Sequence, residues 1–227
     1  MVDSHSTDRT RELAAEAGAR VIERDWPGFG PQKRFAVEAA SHDWVLCLDA
    51  DERLSEQLQA EIRTLRAAGF PDRPGWEMPR CSEYLGRWIR RGTWYPDRQL
   101  RLFDRRRGNW NERPIHERVE LDGPPGRLQG DLLHVPYRDL GDHLTTIARY
   151  TAAMARDLHA RGRRVRLSDL LLRPPVRFLR FYVLRLGFLE GWRGLILAIL
   201  AAYYVFLKYA QLYALVSRQE DTLSEDP

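Results

Sequence analysis

The feature of this chain that most constrains its fold is a short apolar run that ends in carboxylates. The run is Trp44–Leu48, and Asp49, Asp51 and Glu52 follow it at once. A few large apolar residues bounded by polar ones are typical of a buried β-strand. Asp49 would then lie at the carboxyl end of that strand, where open α/β sheets bind ligands. Acids in that place need a compensating cation or hydrogen-bond donors. Mg²⁺ or Mn²⁺ meets that need with one or two carboxylates plus substrate phosphates.

The patterns around this turn alternate between helix and strand. They predict a helix over 8–17, capped by Ser6 or Thr7 and ended by Gly18, and a short strand over 19–23. A helix from Pro31 to about Ala40 follows, and another runs over 55–68. The order predicts a parallel sheet with crossover helices. Beyond it we expect a loop over 69–79, antiparallel strands over 78–103, a basic loop over 105–114, strands over 118–121 and 128–135, and helices from Leu140 onward.

Composition excludes some classes of protein. With 44% hydrophobic and 30% charged residues, the chain is an ordinary folded protein rather than a disordered one. Its 227 residues suffice for one domain with an appendage. Cys47 and Cys81 form no disulfide framework, which favours a reducing, cytosolic setting. The N-terminus is polar from Asp3 onward, so we expect no signal peptide.

The C-terminal third combines positive charge with apolar residues. Residues 161–193 contain nine arginines but only two acids, and residues 194–207 are almost entirely apolar. The apolar stretch is shorter than the ~20 residues of a spanning helix. The pattern therefore predicts amphipathic helices on a membrane surface, with a single span, a soluble helical cap or a dimer interface as alternatives. We expect no nucleic-acid partner, because the arginines alternate with apolar rather than polar residues.

Four sequence blocks together resemble a known family. They are VDSHSTDRT, ASHDWVLCLDADE, GTWYPDRQLRLF and RPIHERVE. They are similar to family 2 glycosyltransferases, in particular the bacterial subgroup that builds lipopolysaccharide core and similar envelope glycans. The resemblance implies the GT-A fold, a Rossmann-like mixed α/β sheet with crossover helices. Family members begin with a further strand–helix unit, so we expect this chain to be truncated at its N-terminus. The expected division is a GT-A domain at 1–138, a membrane-associating helical region at 139–217 and an acidic tail at 218–227.

The resemblance also implies roles for individual residues on the donor side. Asp3 matches the acid that contacts the nucleotide base. Asp49 matches the first acid of the DxD motif, near ribose and metal. Asp51 matches the second acid, the metal ligand for the diphosphate. Lys33 lies in the block that faces the nucleotide, beside Arg34. The implied cofactor is Mg²⁺ or Mn²⁺. By spacing alone, the acids could instead be solvated at the strand end or form a helix N-cap, because Asp51 and Glu52 shortly precede the helix from Ser55 and could favour its positive end.

The base that deprotonates the acceptor has two candidates. Glu117 is favoured by its place after the DxD motif, and Asp97 is the alternative. Structural readings remain open: Glu117 could pair with Arg113 or Arg118, and Asp97 could hold a loop through Arg98 or Arg101. His134 is a candidate late metal ligand or a core histidine, and His116 is a candidate on the acceptor side. Trp94 and Tyr95 are candidates for stacking on a sugar ring or are core aromatics. The basic loop 105–107 is a candidate for binding an anionic acceptor.

The predicted function is inverting transfer of a sugar from a nucleotide-diphosphate donor. The expected acceptor is a lipid-linked or lipopolysaccharide-type glycan at the cytoplasmic face of the bacterial inner membrane, where the protein would be peripheral. The alternative is a truncated, non-catalytic, membrane-associated binding module that resembles a glycosyltransferase. Hydrolysis by paired carboxylates is a third hypothesis, and it predicts sugar release without a nucleotide.

Overall fold

The structure, a computed structural model, describes residues 1–71, 73–112 and 117–225, with side chains described up to Arg218. Its strands are β1 (Val2–Asp3), β2 (Ile22–Glu23), β3 (Trp44–Leu46), β4 (Glu52–Leu54), β5 (Gly75–Ser82), β6 (Asp97–Asp104), β7 (Gly108–Trp110), β8 (Val119–Leu121), β9 (Gly126–Arg127) and β10 (Leu132–His134). Its helices are α1 (Thr10–Glu16), α2 (Phe29–Glu38), α3 (Glu56–Ala67), α4 (Leu140–Ala160), α5 (Leu167–Leu171), α6 (Arg173–Leu179) and α7 (Trp192–Glu225). A π-helical turn (Arg180–Leu184) and a 3₁₀ turn (Gly187–Glu190) join α6 to α7.

The strands form a mixed arrangement. Five of them lie in the order β3-β6-β5-β10-β4, and β9 pairs with β5. β3 runs antiparallel to β6, with Val45 opposite Phe103, whereas β9 is parallel to β5. β1 and β2 form a separate parallel pair, and β7 and β8 an antiparallel one. The class that the resemblance implied, an α/β fold with a mixed sheet and crossover helices, is confirmed. The parallel sheet predicted from the order of elements is wrong for the strand of the acid turn, because β3 pairs with β6, which comes from the later antiparallel region. The strand that carries the acid turn is an edge strand of three residues, shorter than the predicted five.

The chain divides into two compact units. The first comprises residues 1–79 and 98–132, and the second comprises residues 80–97 and 133–227. The first unit has two apolar clusters. One surrounds Leu58, Met78 and Leu132, and the other surrounds Val45, Phe103 and Trp110. The predicted domain boundary at residue 138 stays a prediction.

Two local predictions in the first unit are wrong. The segment predicted as a loop over 69–79 contains the start of β5, because Gly75 serves close packing there rather than a turn. A Cβ at Gly75 would come within 2.8 Å of the Leu102 carbonyl oxygen. Ser6 does not cap α1; the first amide of the helix, that of Thr10, instead donates to Asp8 Oδ1 at 3.0 Å. The Ser6 hydroxyl and the Ser6 amide both donate to the Asp3 carboxylate, at 2.6 and 2.9 Å.

The second unit is mainly helical. The predicted helix after Leu140 is confirmed as α4. Asp139 is its N-cap residue, and the Asp139 side chain accepts a hydrogen bond from the Asp142 amide. Phe181 packs with Tyr84, Ile89 and Leu197 in one cluster, and α4 and α7 share a second cluster around Ala155 and Leu212. Among the described residues, one helix, Trp192–Arg218, could cross a membrane by length and composition, a test that a soluble core helix can also pass.

Candidate functional site

The acid turn after β3 is held by two cations. Lys33 Nζ, on α2, lies 3.1 Å from Asp49 Oδ1. Arg101 Nη2, on β6, donates to Asp49 Oδ2 at 2.7 Å. β6 is the neighbour of β3, so the antiparallel pairing carries the Arg101 side chain to the end of the acid strand. Both oxygens of Asp49 therefore have a positively charged partner.

Arg101 also forms a deeply buried ion pair. The same Nη2 donates to Glu52 Oε1 at 2.7 Å, and the two side chains are only 3% and 0% exposed. Glu52 Oε2 in turn accepts a hydrogen bond from the Asp49 amide at 3.1 Å. These bonds close the turn from Asp49 to Glu52, so its shape depends on charges that are shielded from solvent.

The two cations set the ionisation of Asp49. Burial by itself would raise the pKa of this carboxyl, but the charges of Arg101 and Lys33 outweigh burial and lower its pKa below the ordinary value. Asp49 is thus a firmly ionised carboxylate at neutral pH. At the neighbouring thiol burial prevails over the same charges, and it raises the pKa of Cys47.

Lys33 connects the acid turn to the first candidate base. Its Nζ lies 3.6 Å from Glu117 Oε1, so one ammonium contacts both Asp49 and Glu117. The same Nζ lies 4.7 Å from the centre of the Trp110 ring, which is buried beneath it. The structural alternative for Glu117, a pair with Arg118, is wrong: Arg118 pairs with Glu120 at 3.4 Å. Arg113 and His116 lie outside the described residues.

Asp3 occupies its own corner of the first unit. It is 7% exposed and accepts two hydrogen bonds from Ser6, which lower its pKa. The adjacent Ser4 hydroxyl accepts a hydrogen bond from Gln32 Nε2 at 3.0 Å. Gln32 precedes Lys33 on α2, so successive residues of this helix reach the loop after β1 and the acid turn. No local pattern predicted the Gln32 contact, because Ser4 and Gln32 are 28 positions apart along the chain.

The resemblance to family 2 glycosyltransferases implies a bound divalent cation, so the next question is which side chains could hold one. The described residues contain no group of three or more His, Cys, Asp or Glu side chains arranged to hold a metal ion. Mg²⁺ bound with a nucleotide diphosphate needs only one or two protein carboxylates, because phosphates and waters supply the rest. Asp51 is exposed in the turn, whereas both oxygens of Asp49 already contact Lys33 and Arg101. Asp51 and Asp49 as ligands of Mg²⁺ or Mn²⁺ therefore stay a prediction.

A cleft of about 330 Å³ in the second unit contains three further predicted residues. Trp94, Asp97 and His134 all line it. The remaining lining residues are Arg80, Ser82, Thr93, Pro136 and Tyr137. Tyr95 does not line it and lies near Arg90, whose guanidinium carbon is 5.5 Å from the Tyr95 ring centre. The side chains of Trp94 and Tyr95, which we predicted to act together on a sugar ring, therefore lie in different places.

Asp97 and His134 each have a firm partner in this cleft. Arg80 donates to Asp97 Oδ2 through Nε at 3.0 Å and through Nη2 at 2.6 Å. The expectation that Asp97 pairs with Arg98 or Arg101 is wrong, because its carboxylate pairs with Arg80 on β5 instead. His134 Nδ1 shares a hydrogen bond of 3.0 Å with the Ser82 hydroxyl. Arg80 and Ser82 lie two residues apart on one strand, so their side chains project to the same face of it.

Aromatic side chains line one side of the cleft and continue beneath it. The Tyr137 ring stacks on His143 with centroids 4.2 Å apart, and Trp94 lies 6.0 Å from the same imidazole. The buried Tyr84 hydroxyl bonds His143 Nδ1 at 3.0 Å. Burial lowers the pKa of His143 to about 4, against a small opposing effect of Asp142, so the ring is neutral at physiological pH. A polar rim on an aromatic bed suits a sugar ring.

Sequence reasoning missed four of these residues: Glu52, Arg80, Arg101 and His143. Arg101 belongs to the regular polar positions of the strand over 99–103, so the alternation of Gln99, Leu100, Arg101 and Leu102 did not mark it as a site residue. Arg80 and His143 offered no local pattern either, because their partners lie 17 and 59 positions away along the chain.

Comparison with known proteins gives this geometry a context. The family model described as "Glycosyl transferase family 2" matches residues 1–72. The lipopolysaccharide core biosynthesis glycosyltransferase LpsC of Rhizobium meliloti (strain 1021) is 32% identical over 220 residues, which cover 94% of this chain and 81% of that protein. An uncharacterized glycosyltransferase of Rickettsia typhi is 27% identical over 236 residues, covering 100% of this chain and 81% of its own. The low-salt glycan biosynthesis hexosyltransferase Agl6 of Haloferax volcanii is 47% identical over 51 residues, 22% of this chain and 12% of its own.

The extent of these matches decides the family. The similarity to the Rhizobium protein runs through both units rather than through the acid turn alone. The mixed α/β sheet agrees with the GT-A fold that the resemblance implied. This chain therefore belongs to the family 2 glycosyltransferases and is a transferase.

Proposed function

We propose that this glycosyltransferase moves a sugar, with inversion, from a nucleotide-diphosphate donor to a lipopolysaccharide-type or lipid-linked glycan at the cytoplasmic face of the inner membrane. The observation that carries the donor half is the double contact of Lys33 with Asp49 and Glu117. The name of the Rhizobium relative supports the class of acceptor.

The donor half of the reaction needs positive charge. The diphosphate leaving group gains negative charge as the glycosidic bond breaks, and fixed cations stabilise it. Lys33 and Arg101 are the cations at the acid turn, and Asp49 holds both of them in place. A bound Mg²⁺ or Mn²⁺ would supply Lewis-acid stabilisation of the same charge, with Asp51 and Asp49 as its protein ligands. Asp3, with Ser4 and Gln32 nearby, is the proposed contact for the nucleotide base.

The acceptor half needs a base. Glu117 is the proposed base, because its carboxylate lies 3.6 Å from Lys33 Nζ, the same ammonium that contacts Asp49. Asp97 is the alternative, and its Oδ2 already accepts two hydrogen bonds from Arg80. Trp94, Tyr137 and His134 line a cleft of suitable size for an acceptor sugar. Tyr95 and His116 stay predictions for the acceptor side.

A transfer assay on the full chain tests the proposal. The enzyme, a panel of nucleotide-diphosphate sugars and lipopolysaccharide core oligosaccharide are incubated with Mn²⁺, and release of nucleoside diphosphate is followed. We expect acceptor-dependent release, a product of inverted anomeric configuration by NMR, and a loss in kcat of about 10²–10⁴-fold for Glu117→Gln. Asp51→Asn is expected to lose at least about 10²-fold. Glu12→Gln, an exposed acid on α1, is the matched control.

Other outcomes assign other roles. If Asp97→Asn abolishes turnover while Glu117→Gln does not, Asp97 is the base. Undiminished turnover in Asp51→Asn would contradict the proposed role of Asp51 as a metal ligand. Metal-dependent binding of UDP in a calorimeter without turnover on any acceptor supports the non-catalytic binding module. Sugar release that needs no nucleotide donor supports hydrolysis.

A further inference from the structure

An unusual helical segment lies between α4 and α7. Its core-facing side is apolar: Phe181 is fully buried and packs with Leu197, and Phe178 and Tyr182 pack against the same cluster. Its outward side is apolar as well. Five side chains on it are between 48% and 75% exposed, namely Leu172, Val176, Leu179, Val183 and Leu184.

The spacing of the exposed residues defines a stripe. Leu172, Val176, Leu179 and Val183 follow one another at intervals of four, three and four, which places them on one side of a helix. A short helix that is apolar on opposite sides is expected where both sides are covered. The core covers one side. Contiguous exposed apolar surface of this kind marks an interaction site.

The charge around the stripe is of one sign. The segment 161–193 has two acids, and both are buried within ion pairs: Asp169 lies 2.5 Å from Arg173 Nε, and Glu190 lies 3.4 Å from Arg87 Nε. In the part of the chain that the structure describes, no carboxylate lies within 4.0 Å of Arg164, Arg180 or Arg185. Among the residues that the structure describes, the stripe is thus bordered by arginines that form no ion pair.

We infer that this apolar stripe is the surface that docks on a leaflet rich in anionic phospholipid. The inference rests on the proposed membrane-linked acceptor. Leu172, Val176, Leu179 and Val183 enter the boundary between headgroups and acyl chains, and Arg180 and Arg185 meet the lipid phosphates. Charge complementarity selects an anionic bilayer over a neutral one as the occupant.

The packing of the long helix α7 against α4 argues against a membrane span. Tyr209 and Leu212 are buried against Ala155 of α4, and the Tyr204 hydroxyl lies 2.8 Å from Met154 Sδ of the same helix. A spanning α7 would have to leave α4 or carry it into the bilayer. α4 bears Arg149, Arg156 and Asp157, whose transfer into hydrocarbon is costly. The apolar composition of α7 is therefore used for packing within this unit along one of its sides.

Vesicle binding by the full chain, without any sugar donor, tests the inference. The probes are vesicles of phosphatidylcholine alone and vesicles with phosphatidylglycerol added. We expect binding to the anionic vesicles only, weakening as salt screens the charges. The variant Leu172→Ser/Leu179→Ser should weaken binding at least about tenfold. Leu13→Ser/Leu144→Ser, which alters two exposed leucines elsewhere, is the matched control and should bind normally.

A charge variant separates lipid docking from simple stickiness. Arg180→Gln/Arg185→Gln should lose anionic vesicle binding about tenfold, whereas Arg9→Gln/Arg138→Gln, an equal change of charge at exposed sites, should not. Circular dichroism verifies that each variant is folded. Equal losses in variant and control overturn the inference. So does a chain dimer, seen by light scattering, that Leu172→Ser/Leu179→Ser dissociates, since a second copy is then the occupant.

Two more readouts complete the test. Expressed in bacteria, the chain should leave membranes on alkaline carbonate washing, and retention until detergent is added would instead show a span. Transfer to a water-soluble acceptor should be unchanged in Leu172→Ser/Leu179→Ser. Failure of vesicle binding with transfer intact refutes the docking surface alone, and failure of transfer with vesicle binding intact refutes the proposed function alone.

Discussion

The acid turn of the first unit and the cleft of the second handle polar groups in opposite ways. At the acid turn, Arg101, Glu52 and Asp49 are full charges in close contact, and two of them are almost completely buried. In the cleft, the buried groups Tyr84 and His143 are neutral and joined by a hydrogen bond, while the ion pair of Arg80 and Asp97 is open to solvent. The acid turn thus stabilises buried charges by ion pairing, whereas the cleft presents neutral polar and aromatic groups.

The largest expected effect comes from breaking the charged region. Arg101→Met leaves Glu52 buried without its cation, and we expect the free energy of unfolding to fall by about 3–5 kcal/mol. Arg80→Met removes the corresponding cation of the cleft, where both partners are solvent-accessible, and should cost about 1 kcal/mol or less. Urea denaturation of the two variants at pH 8 measures the difference. Equal losses would show that burial does not separate the two ion pairs.

The next effect concerns the neutral region and pH. His143 titrates near 4 in the folded protein and near 6.5 when unfolded, so the unfolded chain binds more protons between these values. The contribution of His143 is therefore fully present above pH 6.5 and declines as pH falls to 4, by about 3 kcal/mol as an order of magnitude. His143→Gln should flatten this part of the stability profile between pH 7 and 5. His42→Gln, at an exposed histidine, should leave the slope unchanged.

The smallest effect tests how firmly the cleft holds His134. Ser82→Ala removes the hydrogen bond to His134 Nδ1 and should lower the free energy of unfolding by about 1 kcal/mol. Ser41→Ala, at an exposed serine, should change it by a few tenths at most. Thermal and urea denaturation at pH 8 measure both. A loss of 3 kcal/mol or more, on the scale of about 3–5 expected for a buried ion pair, would place the cleft in the same class as the acid turn.

Local sequence signals predicted the elements whose causes are local. The helix α3 follows from its Ser55 N-cap, which accepts a hydrogen bond from the Leu58 amide, and α4 follows from its length and periodicity. The strand β4 was missed because Glu52–Leu54 has no pattern of its own and pairs with a strand far along the chain. The start of β5 was missed because Gly75 and Pro79 are turn signals that close packing overrode.

The sequence by itself determined the family, the mixed α/β class and the position of the acid turn, because these depend on residues that are adjacent along the chain. It also determined that positive charge and apolar residues are concentrated in the C-terminal third. Only the tertiary structure decided that Asp49 is held by Lys33 and Arg101, that Asp97 belongs to Arg80, and that His143 is buried and neutral. Those pairings join residues 16 or more positions apart, and charge and burial at such a distance depend on how the strands and helices pack.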